Sequence, residues 1–172
     1  MKAIYFVYKN FVVMTYRFLI KVFLGWRWQD KITELCYLGG FPITKKDFSY
    51  FTKEKIKHII FVGKELDYSA KGLKFFKKNG IKFYFFEVKD RYSVNKEQLE
   101  EIYKIYELNS FNKEKSYFHC TYGQGRSFMA LAYCLIKNKI KSYGEITEFV
   151  KQKRKQVAFT RRQKVAMDEM FG

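Results

Sequence analysis

The chain has 172 residues, with 34 Lys and Arg against 17 Asp and Glu, for a net charge of +17. One proline and 10 glycines argue against a disordered or jointed protein, and the length suits a single domain with its own core. Three cysteines and two histidines at no metal-ligand spacing leave no metal or cofactor expected, while the charge calls for an anionic partner: a phospholipid surface, a phosphorylated substrate or nucleic acid.

The first segment, residues 1–28, is apolar and aromatic, carries only Lys2, Lys9, Arg17, Lys21 and Arg27 as charges, and has no acid before Asp30. The cations interrupt every apolar run short of the roughly 18 residues that a membrane-spanning helix needs. Wound at about 100° per residue they fall on one side, within roughly a third of the circumference. That is the pattern of a helix lying in a membrane interface, although Phe6, Val13, Ile20 and Leu24 intrude on the basic side. Two other readings stay open: a helix packed on the rest of the chain through its aromatic face, and a mitochondrial presequence.

Residues 34–38 read as a strand, closed by Gly39, Gly40 and Pro42. Thr44 caps a helix through about Lys53, and residues 56–62 form a buried strand in which His58 is a core histidine. A helix over 68–78 ends at Asn79-Gly80, and residues 81–86 form the next strand. A helix over 95–109, a strand at Ser116 and a helix from Arg126 follow, the last with Cys134 in the core. Residues 142–155 and 161–170 form two closing helices, with the run 151–155 as a solvated basic face. Strands alternating with helices predict an α/β sandwich around a mostly parallel twisted sheet, with an added amphipathic helix at the amino terminus. The boundaries are 1–28 for that helix and 29–172 for the domain.

The sharpest signal is His119-Cys120-Thr121-Tyr122-Gly123-Gln124-Gly125-Arg126-Ser127, set between a strand and a helix. A glycine-bearing loop that ends on a helix amino terminus turns backbone N–H groups towards an oxyanion. Gly123 and Gly125 allow positive φ and close backbone approach. The positive helix end favours the Cys120 thiolate. The planar fork of Arg126 can hold two phosphoryl oxygens at once. A nucleophile in such a cradle suits phosphoryl transfer, which also needs an acid for the leaving oxygen. Asp90 lies in the loop after the strand over 81–86, and Glu87 is its competitor.

The H-C-x5-R-[ST] pattern resembles the cysteine-dependent protein tyrosine phosphatase superfamily. The length and element order are similar to its small dual-specificity members over residues 26–171. The resemblance implies a three-layer sandwich and hydrolysis of a phosphomonoester through a phospho-cysteine. In it Cys120 is the nucleophile, Arg126 the phosphate clamp and Asp90 the acid. His119 orients the loop and helps lower the thiol pKa, and Ser127 stabilises the leaving thiolate. Thr121, Tyr122, Gly123, Gln124 and Gly125 would line the substrate site.

Trp26-Arg27-Trp28, Ile32 and Leu38-Gly39-Gly40-Phe41-Pro42 look like the start of the mitochondrial lipid-phosphatase branch, which acts on phosphatidylglycerophosphate or phosphoinositides. That branch carries cations inside the loop, where this chain has neutral Thr121, Tyr122 and Gln124. Extra headgroup charge then falls to Lys89 and Arg91, with Arg161 and Arg162 behind them. The expected substrate is a phospholipid headgroup at an anionic membrane. The alternatives are a phosphoprotein and, more remotely, the 5′-triphosphate of an RNA; a non-enzymatic phosphate-binding module is the remaining class. A thiolate nucleophile expects a reducing intracellular compartment, with peripheral membrane attachment and the mitochondrion as one address. Cys36 could shield Cys120 as a disulfide only if the fold brought the two sulfurs together.

Overall fold

The computed structural model describes residues 2–64 and 68–172, with residues 2–10 described by backbone path alone. The side chains of Lys2, Phe6 and Lys9, invoked above, lie outside the described residues. In chain order the elements are α1 (Lys2–Leu24), β1 (Gln29–Lys31), β2 (Cys36–Gly39), α2 (Lys45–Lys53), β3 (Ile56–Gly63), α3 (Ala70–Lys78), β4 (Lys82–Glu87), α4 (Lys96–Phe111), β5 (Lys115–His119), α5 (Arg126–Lys137), α6 (Tyr143–Lys151) and α7 (Arg161–Phe171).

The sheet runs β1-β2-β5-β3-β4. Among the described residues β1 alone is antiparallel to its neighbour, and the other three pairings are parallel. Alternation along each strand divides the core. Leu38, Ile60 and Val62, with Phe118, pack against α4 to α7. Tyr37, Ile59 and Tyr117 pack on the other face with Phe51 of α2 and Phe76 of α3. This is the expected three-layer sandwich. Parallel strands covered on both faces need continuous apolar runs, which β3 has. β5 lies between β2 and β3, so its carboxyl end opens at the middle of the sheet's edge.

Local sequence explains where several helices start. Thr44 and Asp47 form a reciprocal capping box at α2, Asn95 accepts from the Gln98 N–H at α4, and Thr160 pairs with Gln163 at α7. Two differences from the sequence reading stand out. β1 has three residues, too few to leave a periodic signal. The predicted helix over 142–155 ends at Lys151, and Arg154, expected on a solvated face, is 1% exposed.

Helix α1 packs on the domain through a narrow stripe. Val13 and Ile20 are buried with Trp28, Phe41 and Phe61, and Tyr16 is half-buried beside them. Arg17 pairs with the buried Asp47 at 2.6 Å. Burial alone would raise the Asp47 pKa. Arg17 and the backbone N–H groups of Thr44 and Ile43 outweigh it and hold the carboxyl below its usual value. Val13 and Ile20, which disturb the basic face as an interfacial pattern, are thus the residues that dock the helix. The opposite side exposes Phe11, Met14, Phe18, Leu19, Val22 and Phe23. Among the described residues no helix is long and apolar enough to cross a membrane.

If this stripe holds α1, Ile20→Ala should lower the unfolding free energy by about 2–5 kcal/mol. Phe18→Ala, on the exposed side, should change it by less than about 0.5 kcal/mol. Urea denaturation of both variants checks the contrast; equal effects would contradict this packing.

Candidate active site

The loop after β5 wraps around Cys120, which is buried. Its Sγ accepts from the Gly123 N–H at 3.2 Å and from the Ser127 hydroxyl at 3.3 Å. Burial alone would raise this thiol's pKa. The Arg126 charge, the Ser127 hydroxyl and the backbone N–H groups of Ser127 and Gln124 outweigh it and hold the pKa below the ordinary thiol value. Gly123 has φ +69°, and a Cβ there would stand 2.2 Å from the Gly39 carbonyl oxygen. Conformation and space both demand glycine at this position. Gly125 differs from expectation. Its φ is −115°, and what it needs is room, since a Cβ would meet Gln163 Oε1 at 2.9 Å.

Arg126 opens α5 and is buried. Its Nη1 donates to the Val88 carbonyl at 3.0 Å and its Nη2 to Thr121 Oγ1 at 3.2 Å. The same Nη2 lies 3.0 Å from Asp90 Oδ1. Asp90 and Cys120 therefore line one cavity of about 450 Å³, together with Arg126. Glu87 ends β4, pairs with Lys64 at 2.5 Å and does not line that cavity.

His119 is buried, and burial pushes its pKa down to about 3 despite a hydrogen bond to the Cys120 carbonyl. A carbonyl only accepts, so Nδ1 carries the proton in that 3.3 Å contact. Nε2 of the neutral ring then accepts from the Tyr68 hydroxyl at 2.8 Å. His119 thus orients the loop from below; the positive charge on the thiol's side is that of Arg126.

Of the remaining candidates, Tyr122, Gln124, Gly125 and Arg91 line the cavity. Thr121 and Gly123 shape the loop from behind: Thr121 through Arg126 and the Phe41 N–H, Gly123 against Gly39. Lys89 does not line it; its ammonium lies 6.0 Å from the Tyr92 ring centre. Arg161 and Arg162 line a neighbouring depression instead, with the Arg162 guanidinium 4.2 Å from the Tyr92 ring centre. Cys36 cannot reach Cys120. It sits beside Ser116 in the parallel register, four residues back along the strand, or roughly 13 Å away at about 3.3 Å per residue.

Four residues escaped the sequence reading. Arg154 donates to the Gly123 carbonyl at 2.7 Å and the Tyr122 carbonyl at 2.8 Å, and pairs with the buried Asp30 at 2.7 Å. Thr160 donates to the Arg91 carbonyl and Gln163 to the Tyr92 carbonyl, tying the Asp90 loop to α7. Tyr16 of α1 accepts from Gln124 Nε2 and meets the Tyr122 ring edge-on at 4.8 Å. Thr160 and Gln163 have the spacing of a capping box, which was visible in the chain. Nothing local separates Arg154 from the lysines around it.

No protein-family model matches the chain, and no curated protein matches it significantly. Solved structures do. The fold is that of the small cysteine-dependent phosphatases of dual-specificity type. PTPMT1, solved in complex with PI(5)P, superposes with a TM-score of 0.74 at 20% identity, covering 84% of this chain and 95% of its own. Tk-PTP in its active form gives 0.73 at 22% identity, covering 84% and 97%. DUSP15 gives 0.67 at 17% identity, covering 83% and 86%.

The two histidines set a pH dependence of stability. Burial holds His119 near 3 and lowers His58 below its ordinary value despite its 2.7 Å contact with Glu114. Unfolding would restore both to about 6.5, so below that pH the unfolded chain binds more protons than the folded one. The unfolding free energy should therefore fall as pH drops from about 6.5 to 5, by up to about 1.4 kcal/mol per pH unit from His119, with a contribution of the same sign from His58. Urea midpoints across that window measure it, and a flat profile would contradict the lowering of these pKa values by burial.

Proposed function

We propose that the chain hydrolyses a phosphomonoester through a phospho-cysteine intermediate. The observation that carries this is one cavity in which a pKa-lowered Cys120 thiol, the Arg126 fork and the Asp90 carboxyl converge. The phosphoryl oxygens take the place at Arg126 that Asp90 now occupies, held also by the inward N–H groups of the loop. The Cys120 thiolate attacks phosphorus, the phosphorus–oxygen bond to the leaving group breaks, and Asp90 gives that oxygen its proton. Water then attacks phosphorus with Asp90 taking its proton. The phosphorus–sulfur bond breaks, and Cys120 leaves as a thiolate that the Ser127 hydroxyl stabilises.

The substrate we assign is a phospholipid headgroup, a phosphoinositide or phosphatidylglycerophosphate, met at an anionic membrane by a peripherally attached enzyme in a reducing compartment. Three things support it. The exposed aromatic side of α1 suits a bilayer interface, and the net charge of +17 suits an anionic one. The PTPMT1 structure of the same fold holds PI(5)P. The neutral Thr121, Tyr122 and Gln124 favour the second reading, a phosphoprotein substrate.

A panel of phosphoinositides and phosphatidylglycerophosphate in vesicles, phosphopeptides and triphosphate-ended RNA tests the assignment through phosphate release. One lipid should be dephosphorylated selectively, whereas release from phosphopeptides alone would establish the second reading. Cys120→Ser should abolish release on every substrate; retained hydrolysis would remove Cys120 from the chemistry. Asp90→Ala should slow an alkyl phosphate by about 10²-fold or more and an activated aryl phosphate far less, because only the poor leaving group needs the acid. Equal losses would take the acid role from Asp90.

A further inference from the structure

The amino-terminal helix, for which the sequence left open a membrane-interface, a packing and a targeting role, supplies part of the cavity wall. Tyr16 lines the cavity with Cys120, although 108 positions separate it from its hydrogen-bond partner Gln124. Val13 and Ile20, on the same side of α1, are buried, and Arg17 is ion-paired, so the ring is held on a docked helix.

The cavity, about 450 Å³, exceeds what a phosphoryl group alone would fill. Its aromatic lining is Tyr16, Tyr122 and Phe159; Arg91, Gln156 and Thr160 add polar groups. Aromatic faces suit the C–H surface of a polyol or sugar-like ring, and the polar groups suit its hydroxyls. The Tyr16 oxygen accepts from Gln124, and its own proton meets no acceptor among the described residues. That proton remains for a substrate hydroxyl.

We propose that Tyr16 is a substrate-specificity residue that holds the phosphorylated polyol headgroup beside the catalytic loop. This rests on the reading of Cys120 as a phosphatase nucleophile. It makes α1 a component of the active site: one side of the helix completes the headgroup pocket while the other presents the aromatic residues.

The test compares the full-length chain with Tyr16→Phe and Tyr16→Ala. Substrates are water-soluble short-chain phosphoinositides and phosphatidylglycerophosphate, a phosphotyrosine peptide and a small aryl phosphate. Soluble lipids keep headgroup recognition apart from vesicle attachment. Tyr16→Phe should lower kcat/KM on the headgroup substrate by about tenfold, mainly through KM, the size of one lost hydrogen bond. On the aryl phosphate, which carries no polyol to hold, the loss should be several-fold smaller than on the headgroup substrate. Tyr16→Ala should lose more on the headgroup substrate. Equal losses on all substrates would reduce Tyr16 to a packing residue, and no loss would remove it from recognition. Turnover by the intact chain of the phosphopeptide but no polyol headgroup would overturn the assigned ligand. Turnover of nothing would overturn the reading of Cys120, and the role of Tyr16 with it.

Discussion

Everything at this site depends on which way a few peptide groups face. For the loop's N–H groups to converge on Cys120, its carbonyls must turn outward into a buried region, where an unpaired oxygen is costly. Arg154 takes two of them, from Tyr122 and Gly123, and the Phe41 N–H takes a third, from Thr121. The guanidinium is itself neutralised by Asp30 and reaches the Trp28 carbonyl. A fork with five donors in fixed geometry can meet that many oxygens at once; an ammonium could not. The short β1 edge, the Cys120 loop and the connection from α6 to α7 thus share one buried cation.

The sequence pattern ahead of the Cys120 loop acquires a physical reason from the same region. Trp28 lies against Gly40 so closely that a Cβ there would stand 2.2 Å from its ring, and its indole N–H donates to the Phe41 carbonyl. Gly39 meanwhile makes room for the Tyr117 hydroxyl, 2.2 Å from where its Cβ would stand, and its carbonyl fills the space left by the missing Cβ of Gly123. The Trp28 and Gly39-Gly40 signals are one packing solution that brings β2 tight against the loop. The buried Asp30 shows what that arrangement costs. Burial raises its pKa even with Arg154 beside it.

Electrostatic tuning is divided between charge and position. Arg126 and the loop dipoles lower the Cys120 pKa against burial, whereas the neutral His119 acts through hydrogen bonds at both ring nitrogens. Tyr68, whose own pKa burial raises, stays a donor and so sets the His119 tautomer. Carrying α1 against this assembly places an aromatic surface on the same body as the cavity.

The chain by itself determined the strand-helix order apart from the short β1, the cap at Thr44, and the placing of Cys120 and Arg126 at the two ends of one glycine-bearing loop. These rest on local rules: alternation of apolar residues, a side chain that caps its own helix, and a cysteine and an arginine six residues apart between a strand and a helix. Tertiary structure decided what local rules cannot reach. Arg154 sits in a basic run, Lys151-Gln152-Lys153-Arg154-Lys155, that reads as surface. Only the fold shows that the helix stops at Lys151 and that the loop's carbonyls lie within its reach. Val13 and Ile20 read as flaws in an amphipathic pattern until the domain surface is present to bury them. Tyr16 reaches the cavity across 108 positions of chain, a separation at which no periodicity or spacing carries information.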